Sequence, residues 1–101
     1  MWSSIMTKKS YFVYILSNYS SQVLYIGVTN NLKKRVYEHR QQKEDTFAGK
    51  YKTEKLVYYE CTEDIFSAIR REKQLKHWRR EKKEKLIMQT NPFWEDLYEK
   101  L

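Results

Sequence analysis

Residues 11–28 read YFVYILSNYSSQVLYIGV and carry the strongest structural signal in the chain. The first and last six residues are rich in aromatic and β-branched side chains, and the six between them, SNYSSQ, are polar. Two such runs joined by a short polar segment predict a β-hairpin. If Leu16 pairs with Val23 around the six-residue loop, Tyr14 lies opposite Tyr25 on one face of the sheet. A register shifted by two residues would keep both tyrosines on that face, whereas a shift of one would separate them.

The rest of the chain predicts one more strand and several helices. Leu32–Lys43 reads as a helix, because Thr29–Asn31 supplies capping residues and apolar side chains recur at helical spacing. The other predicted elements are a loop over Glu44–Thr53, a strand over Leu56–Cys61, a helix over Glu63–His77 capped by Thr62, a helix over Arg79–Thr90, and a last helix starting at Asn91–Pro92. This is an α/β (α+β) fold, a small three-stranded antiparallel sheet flanked by helices in the order β-β-α-β-α-α-α.

Composition limits the class of protein. The chain has 101 residues, so we predict an N-terminal tail at 1–9 and a single domain over 10–101. Aromatic residues make up 16%, with 2 Gly and 1 Pro, which argues against long disorder. Apolar runs fall short of the ~18 residues of a membrane span, and the first ten residues lack the apolar core of a signal peptide. Cys61, the one cysteine, cannot form an internal disulfide and is predicted to be a small buried residue.

The net charge of +7 indicates an acidic partner. Residues 33–43 carry five Lys and Arg against one Glu, and residues 70–85 carry nine against three. Nucleic acid, an acidic membrane surface and an acidic protein all fit this charge, and a surface that follows phosphates needs such a concentration. The alternative is that both segments are solvated helix faces.

Two residue pairs are candidates for chemistry. Tyr14 and Tyr25 share a predicted sheet face, and the alternative interpretation is that both pack a core. Arg35 and His39 are four residues apart and therefore share one side of the predicted helix. Their alternative is a surface arginine and a capping or exposed histidine.

Glu72 is the third candidate. It follows Ile65 by seven residues and Ile69 by three, so it lies on the apolar line of its helix. A carboxylate on a core-facing line is costly unless it is paired or functional. A buried ion pair with a neighbouring Lys or Arg is the alternative to a metal ligand.

Together these residues resemble the GIY-YIG nuclease family. Phe12-Val13-Tyr14 precedes Tyr25-Ile26-Gly27, and an arginine, a histidine and a glutamate follow in order at 35, 39 and 72. The resemblance extends over residues 11–97 and is to the small bacterial members that consist of this domain alone. It implies a nuclease fold in a bacterial, cytoplasmic protein.

The resemblance implies a role for each matching residue. Tyr14 and Tyr25 match the motif tyrosines, one of which would serve as general base. Arg35 matches the arginine that stabilises charge on the scissile phosphate, and His39 would hydrogen-bond the nucleophile or the phosphate. Glu72 matches the single ligand of a divalent metal ion, Mg²⁺ or Mn²⁺.

Four further positions are set by the same resemblance. Asn91 matches a helix-borne asparagine near the site. Gly27 would let the backbone and the substrate approach closely. Phe12 stands where the family name has glycine, and Val28 stands where several active relatives have lysine.

The expected function is that of a metal-dependent endonuclease that hydrolyses DNA with little sequence specificity of its own, in DNA repair or recombination. The runner-up is a module that uses the same fold and basic face to bind DNA or RNA without turnover. A third interpretation is an interaction protein whose basic face meets an acidic protein, and a partner protein for targeting fits all three. We expect no small-molecule cofactor and no membrane association.

Overall fold

A computed structural model of the protein describes residues 9–42 and 46–101. The predicted N-terminal segment at 1–9 lies outside the described residues apart from Lys9. Lys43 and Glu44, where a predicted helix ends and a predicted loop begins, also lie outside them. Within the described ranges, no helix is long and apolar enough to cross a membrane.

The described part of the chain forms one antiparallel sheet with helices on both faces. The strands are ordered β2-β1-β3, so β1 is central. The predicted α+β class with a three-stranded antiparallel sheet is therefore confirmed. In chain order the elements are β1 (Tyr11–Ser17), β2 (Leu24–Thr29), α1 (Leu32–Arg40), α2 (Phe47–Tyr51), β3 (Lys55–Thr62), α3 (Ile65–His77), α4 (Arg80–Thr90) and a 3₁₀ helix (Leu97–Lys100).

The hairpin register differs from the predicted one by two residues. Tyr14 lies opposite Gly27, and Leu16 lies opposite Tyr25. The loop is shifted to residues 18–23, because the side-chain oxygen of Asn18 accepts hydrogen bonds from the backbone N–H groups at 22 and 23 (2.9 and 3.0 Å). A shift of two preserves sidedness, so Tyr14 and Tyr25 lie on one face as predicted. We call it the tyrosine face.

Helix α1 covers part of the tyrosine face. Leu32 and Val36, the predicted apolar stripe of this helix, are buried there with Tyr14. The helix starts where predicted, because the side chain of Asn31 accepts a hydrogen bond from the N–H of Lys34 (3.1 Å).

Helices α3 and α4 cover the opposite face. On α3 the buried residues are Ala68 and Leu75. Ile65 and Ile69, the predicted apolar stripe, are only half-buried and lie at the margin of the packed surface. The buried cluster on this face contains Val13, Ile15, Ile26, Val57, Tyr58, Ala68, Leu75 and Ile87.

Two predictions near the helix starts were wrong. Asp64, not Thr62, caps α3, because its carboxylate accepts from the N–H groups of Phe66 and Ser67 (both 3.2 Å). The Thr62 hydroxyl accepts from the N–H of Asp64 instead (3.3 Å). Part of the predicted loop 44–53 forms the short helix α2.

Asn91 ends α4 rather than starting a further helix, contrary to the prediction from Asn91–Pro92. Its side-chain amide donates to the carbonyls of Val57 (3.1 Å) and Glu95 (2.8 Å), and its oxygen accepts from the N–H of Glu95 (2.9 Å). The following short 3₁₀ helix is capped by Asp96. Both preferences of asparagine, for helix starts and for helix ends, fit the sequence, and the bonds to β3 and residue 95 select the end.

The segment 91–101, which we call the tail, packs along the outer edge of β3. Asp96 accepts from the N–H groups of Leu56 and Tyr98 (both 3.1 Å) and forms an ion pair with Arg40 of α1. The Arg40 guanidinium also lies 4.2 Å from the ring centroid of Tyr98. Side chains of the tail thus satisfy backbone groups on an edge strand that would otherwise lack partners.

Candidate active site

One close contact between β1 and β2 organises the tyrosine face. Tyr14 is fully buried, and its ring lies against Gly27 on the neighbouring strand. A Cβ atom at position 27 would lie 2.5 Å from the Tyr14 oxygen and 2.6 Å from its Cζ. The close approach that Gly27 permits in this structure is therefore that of the Tyr14 ring, which fills the space that the missing side chain leaves.

Three aromatic rings meet beside this contact. The ring centroids of Tyr14 and Tyr25 are 6.4 Å apart, and α1 places His39 between strand and helix, 4.7 Å from Tyr25 and 6.2 Å from Tyr14. His39 is buried, whereas Tyr25 is half-buried. The structure thus brings together three residues that lie 11 and 14 positions apart in the chain.

Two polar atoms of this cluster are buried without a hydrogen-bond partner among the described residues. They are the hydroxyl oxygen of Tyr14 and Nδ1 of His39. A buried polar atom that makes no hydrogen bond costs about 1–3 kcal/mol, so folded proteins rarely leave one without a reason. Both atoms therefore suit contact with a water molecule or a substrate oxygen.

Burial and the nearby charges of Arg35 and Glu72 affect the pKa of the Tyr14 hydroxyl. Burial raises the pKa of Tyr14 to about 12, and Tyr25 adds to this increase. Arg35 lies close enough to lower the Tyr14 pKa, although no hydrogen bond between them meets normal geometry, and Glu72 raises it weakly. At neutral pH the Tyr14 hydroxyl keeps its proton and can act as a hydrogen-bond donor.

The pKa of His39 is shifted in the opposite direction, downwards. Burial lowers its pKa below the usual 6.5, the positive charge of Arg35 lowers it further, and Glu38 partly opposes both. The imidazole is consequently neutral at pH 7. A neutral imidazole carries one donor and one acceptor nitrogen, so it can receive a proton.

Arg35 lies one turn into α1, at the rim of the cluster. Its guanidinium is half-exposed and pairs with Glu38 at 3.4 Å. A polar pocket of about 120 Å³ lies beside it, lined by Thr29, Asn30, Asn31, Lys34, Arg35 and Glu38. An exposed ion pair of this kind contributes little to stability, so the guanidinium can exchange its partner for a phosphate at low cost.

Glu72 is largely buried, with 16% of its side chain exposed, and it pairs with Lys76 at 3.0 Å. The ion pair that the sequence offered as an alternative is therefore present. The spacing of four residues between Glu72 and Lys76 is a signal from which this pair could have been found. Lys76 is 52% exposed, so it can move into solvent and leave the carboxylate accessible.

The chemistry of Glu72 suits a weakly held divalent ion. No group of three His, Cys, Asp or Glu side chains comes together within residues 9–42 and 46–101. Mg²⁺ commonly keeps several waters and binds through one or two carboxylates plus substrate phosphates. A single carboxylate near a phosphate site therefore fits this mode and not a closed protein cage.

The structure places Asn91 and Val28 away from the three-ring cluster. Both N–H groups of the Asn91 amide are used by Val57 and Glu95, on the β3 side of the molecule. Val28 packs with the aliphatic cluster on the opposite face. A lysine at position 28 would therefore start from the α3 side of the sheet.

A polar network that sequence reasoning missed holds α3 in place. Glu60 accepts from Nε (3.0 Å) and from Nη2 (2.8 Å) of Arg71, the residue before Glu72. Tyr58 donates to the same carboxylate at 2.5 Å, and burial together with this bond raises the Tyr58 pKa to about 12. Alternation along β3 puts Tyr58 and Glu60 on one face, and that was the readable signal.

Comparison with known proteins agrees with this fold. A family model described as the GIY-YIG catalytic domain matches residues 10–85. The chain therefore belongs to the GIY-YIG family, a nuclease-like family whose members generally use divalent metal ions.

Its relatives include several UPF0213 proteins. One from Syntrophus aciditrophicus is 38% identical over 83 residues, covering 78% of this chain and 91% of the relative. One from Haloquadratum walsbyi is 33% identical over 76 residues, covering 75% and 84%. The solution NMR structure of a UPF0213 protein from Bacillus halodurans aligns with a TM-score of 0.54 and 27% identity, covering 86% of this chain and 92% of that one.

Proposed function

We propose that the protein is a metal-dependent endonuclease that hydrolyses DNA phosphodiester bonds with little sequence specificity of its own. The observation that supports this most directly is the buried cluster of Tyr14, Tyr25 and His39, whose Tyr14 hydroxyl and His39 Nδ1 lack partners among the described residues. The charge of Arg35 lowers the pKa of the Tyr14 hydroxyl, and that of Glu72 raises it weakly. Membership in a nuclease-like family agrees with this proposal.

The groups can be assigned to the needs of the reaction. The oxygen of a water molecule bonds to phosphorus, the bond to the 3′ oxygen breaks, and the water proton passes to a base. We assign the role of base to Tyr25, because burial raises the pKa of Tyr14 to about 12 and the Tyr14 hydroxyl therefore keeps its proton at neutral pH. The neutral imidazole of His39, 4.7 Å from the Tyr25 ring, is the neighbouring proton acceptor.

The remaining groups stabilise charge. Arg35 donates hydrogen bonds to the phosphate oxygens, and the protonated Tyr14 hydroxyl donates a hydrogen bond to one of them. A divalent ion held by Glu72, Mg²⁺ or Mn²⁺, would supply Lewis-acid stabilisation of the leaving oxygen. The products carry a 5′-phosphate and a 3′-hydroxyl.

Exposed cations provide the wider DNA contact. Lys33 and Lys34 on α1 and Arg70 and Lys73 on α3 are exposed on the two basic segments of the chain. Contacts between such cations and phosphates carry no sequence information and weaken steeply with salt. A general role in DNA repair or recombination in the bacterial cytoplasm, with a partner protein for targeting, fits this low specificity.

The decisive experiment is a cleavage assay on labelled single-stranded, duplex, flapped and four-way DNA. Each substrate is incubated with Mg²⁺, with Mn²⁺ and with chelator. Glu72→Ala and Glu72→Gln are compared with Glu84→Ala, which removes another helix carboxylate paired to a cation four residues away. We expect metal-dependent cutting by the wild type and by Glu84→Ala, and none by the folded Glu72 variants. Cutting that survives in chelator or in Glu72→Ala would refute the proposal.

A non-catalytic binding module is the second candidate, and Val28 is the observation that favours it. The position carries lysine in several active relatives, and here it is an apolar residue packed on the opposite face. A pure binder would hold DNA or RNA equally well with metal and with chelator and would cut neither.

A further inference from the structure

Beside the candidate active site, two aromatic residues form what we call the aromatic shelf, Phe12 and Tyr59. Tyr59 of β3 lies directly opposite Tyr14 of β1, on the side away from Gly27. Phe12 precedes Tyr14 by two residues in the same strand, so all three side chains share the tyrosine face. The Phe12 and Tyr59 rings contact each other edge to face, with centroids 6.3 Å apart and an interplanar angle of 64°.

The shelf is open where the rest of this face is covered. Toward Leu16 and Leu56 the face is fully buried, in the cluster that includes α1. Toward the shelf, Tyr59 is 39% exposed, and Cys61, opposite Phe12, is also exposed, contrary to the prediction that it is buried. A cross-strand aromatic contact stabilises a sheet without requiring a large ring to face solvent, so the exposure of Tyr59 is not explained by its contact with Phe12.

We infer that the aromatic shelf stacks an unpaired base of the DNA strand that is cut, next to the scissile phosphate. The inference deepens the proposed function and rests on it. Neighbouring strands lie about 5 Å apart, so Tyr59 is one strand away from Tyr14, whose hydroxyl lies over Gly27 and is proposed to contact the phosphate. Aromatic side chains stack on nucleobases without regard to sequence, which agrees with the low specificity proposed above.

The charge of the whole chain favours a nucleic acid as this occupant. The chain carries a net charge of +7, which favours a polyanion over an apolar peptide. Bases inside a duplex already stack on their neighbours and cannot lie on a protein ring unless they leave the helix. The shelf therefore favours single-stranded or flapped DNA over continuous duplex.

The test measures binding in chelator, where no cleavage occurs. A single-stranded DNA of about 15 nucleotides carrying the fluorescent base 2-aminopurine is titrated with wild type, Tyr59→Ala and Tyr59→Trp. The matched control is Tyr19→Ala, which removes a more exposed tyrosine (66%) from the hairpin loop. A duplex of the same sequence is titrated in parallel, and circular dichroism checks that each variant is folded.

Stacking of one base is worth about 1–3 kcal/mol, so Tyr59→Ala should weaken single-strand binding about 5- to 150-fold. Tyr59→Trp should retain it, duplex binding should change little, and Tyr19→Ala should behave as wild type. The quenching of 2-aminopurine on binding should also be lost in Tyr59→Ala. Unchanged single-strand binding by folded Tyr59→Ala, or an equal loss for duplex, would overturn the shelf.

The shelf and the proposed nuclease activity fail separately. Tyr59-dependent binding without metal-dependent cutting would keep the shelf and refute the nuclease. Cutting with no difference between Tyr59→Ala and Tyr19→Ala on single strands would keep the nuclease and refute the shelf.

Discussion

Tyr14 and Gly27 face each other across β1 and β2, and the ring of the first occupies the volume that a side chain on the second would need. The contact explains why the motif Tyr25-Ile26-Gly27 ends in glycine in this protein. The position of the Tyr14 hydroxyl depends on the absence of one Cβ atom at residue 27. The charges of Arg35 and Glu72 affect the pKa of this same hydroxyl.

Gly27→Ala should therefore displace the Tyr14 ring. We expect the free energy of unfolding to fall by about 1–3 kcal/mol, as in other overpacked cores, measured by urea denaturation. The double variant Gly27→Ala with Tyr14→Ala should lose less free energy of unfolding than the two single variants lose together, because the clash is absent once the Tyr14 ring is removed. Additive costs would show that the alanine does not meet the Tyr14 ring.

Tyr25→Phe should remove catalysis and keep the fold. Phenylalanine preserves the ring that packs 4.7 Å from His39 but lacks the hydroxyl. Loss of a general base typically lowers the rate by about 10²–10⁴-fold. The control is Tyr37→Phe, which removes an exposed hydroxyl from α1. A Tyr25→Phe protein that cuts DNA as the wild type does would show that Tyr25 is not the base.

The His39 environment predicts a pH dependence of stability. Its pKa is lowered in the folded protein, so below pH about 6.5 the unfolded chain binds the proton first and stability falls as the pH falls. Unfolding measured from pH 7.5 to 5 should show this loss in the wild type, and His39→Gln should reduce the slope. His77→Gln, on the exposed end of α3, is the control. An equal change in both variants would place the effect elsewhere.

Asp96→Ala should detach the tail from the edge of β3. The variant leaves the N–H of Leu56 and the guanidinium of Arg40 without this carboxylate, at a cost of about 1–3 kcal/mol in the free energy of unfolding. Glu99→Ala, an exposed carboxylate three residues later, should change stability by less than about 0.5 kcal/mol. Similar effects of the two substitutions would mean that general charge, not these bonds, holds the tail.

The sheet and its sidedness were predictable from the sequence, and its register was not. Alternation in the two hairpin runs defines which residues share a face, so Tyr14 and Tyr25 were paired correctly in that sense. The register depends on two hydrogen bonds that the Asn18 side-chain oxygen accepts from backbone N–H groups, which the pattern of apolar residues does not encode. The same limit applies to Asp64, since Thr62 is also a capping residue by type and both precede the helix.

The candidate site shows a similar division. Spacing in the chain placed Arg35 and His39 on one side of α1, and the structure puts His39 against both tyrosines. The four-residue spacing within α3 permits the Glu72–Lys76 pair. The Glu60–Arg71 bonds join α3 to β3 and depend on how the helix is rotated against the sheet, so alternation along β3 did not by itself identify Arg71 as the partner.

The way in which the tail occupies the edge of β3 bears on self-assembly. Asn91 and Asp96 engage the Val57 carbonyl and the Leu56 N–H, which are the groups that an added strand from another molecule would use. Growth of the sheet at the first half of β3 therefore requires the tail to be released first. The tail thus protects the first half of β3 from pairing with another molecule. Conditions that loosen residues 91–101 should be those under which the protein begins to form intermolecular β-structure at this edge.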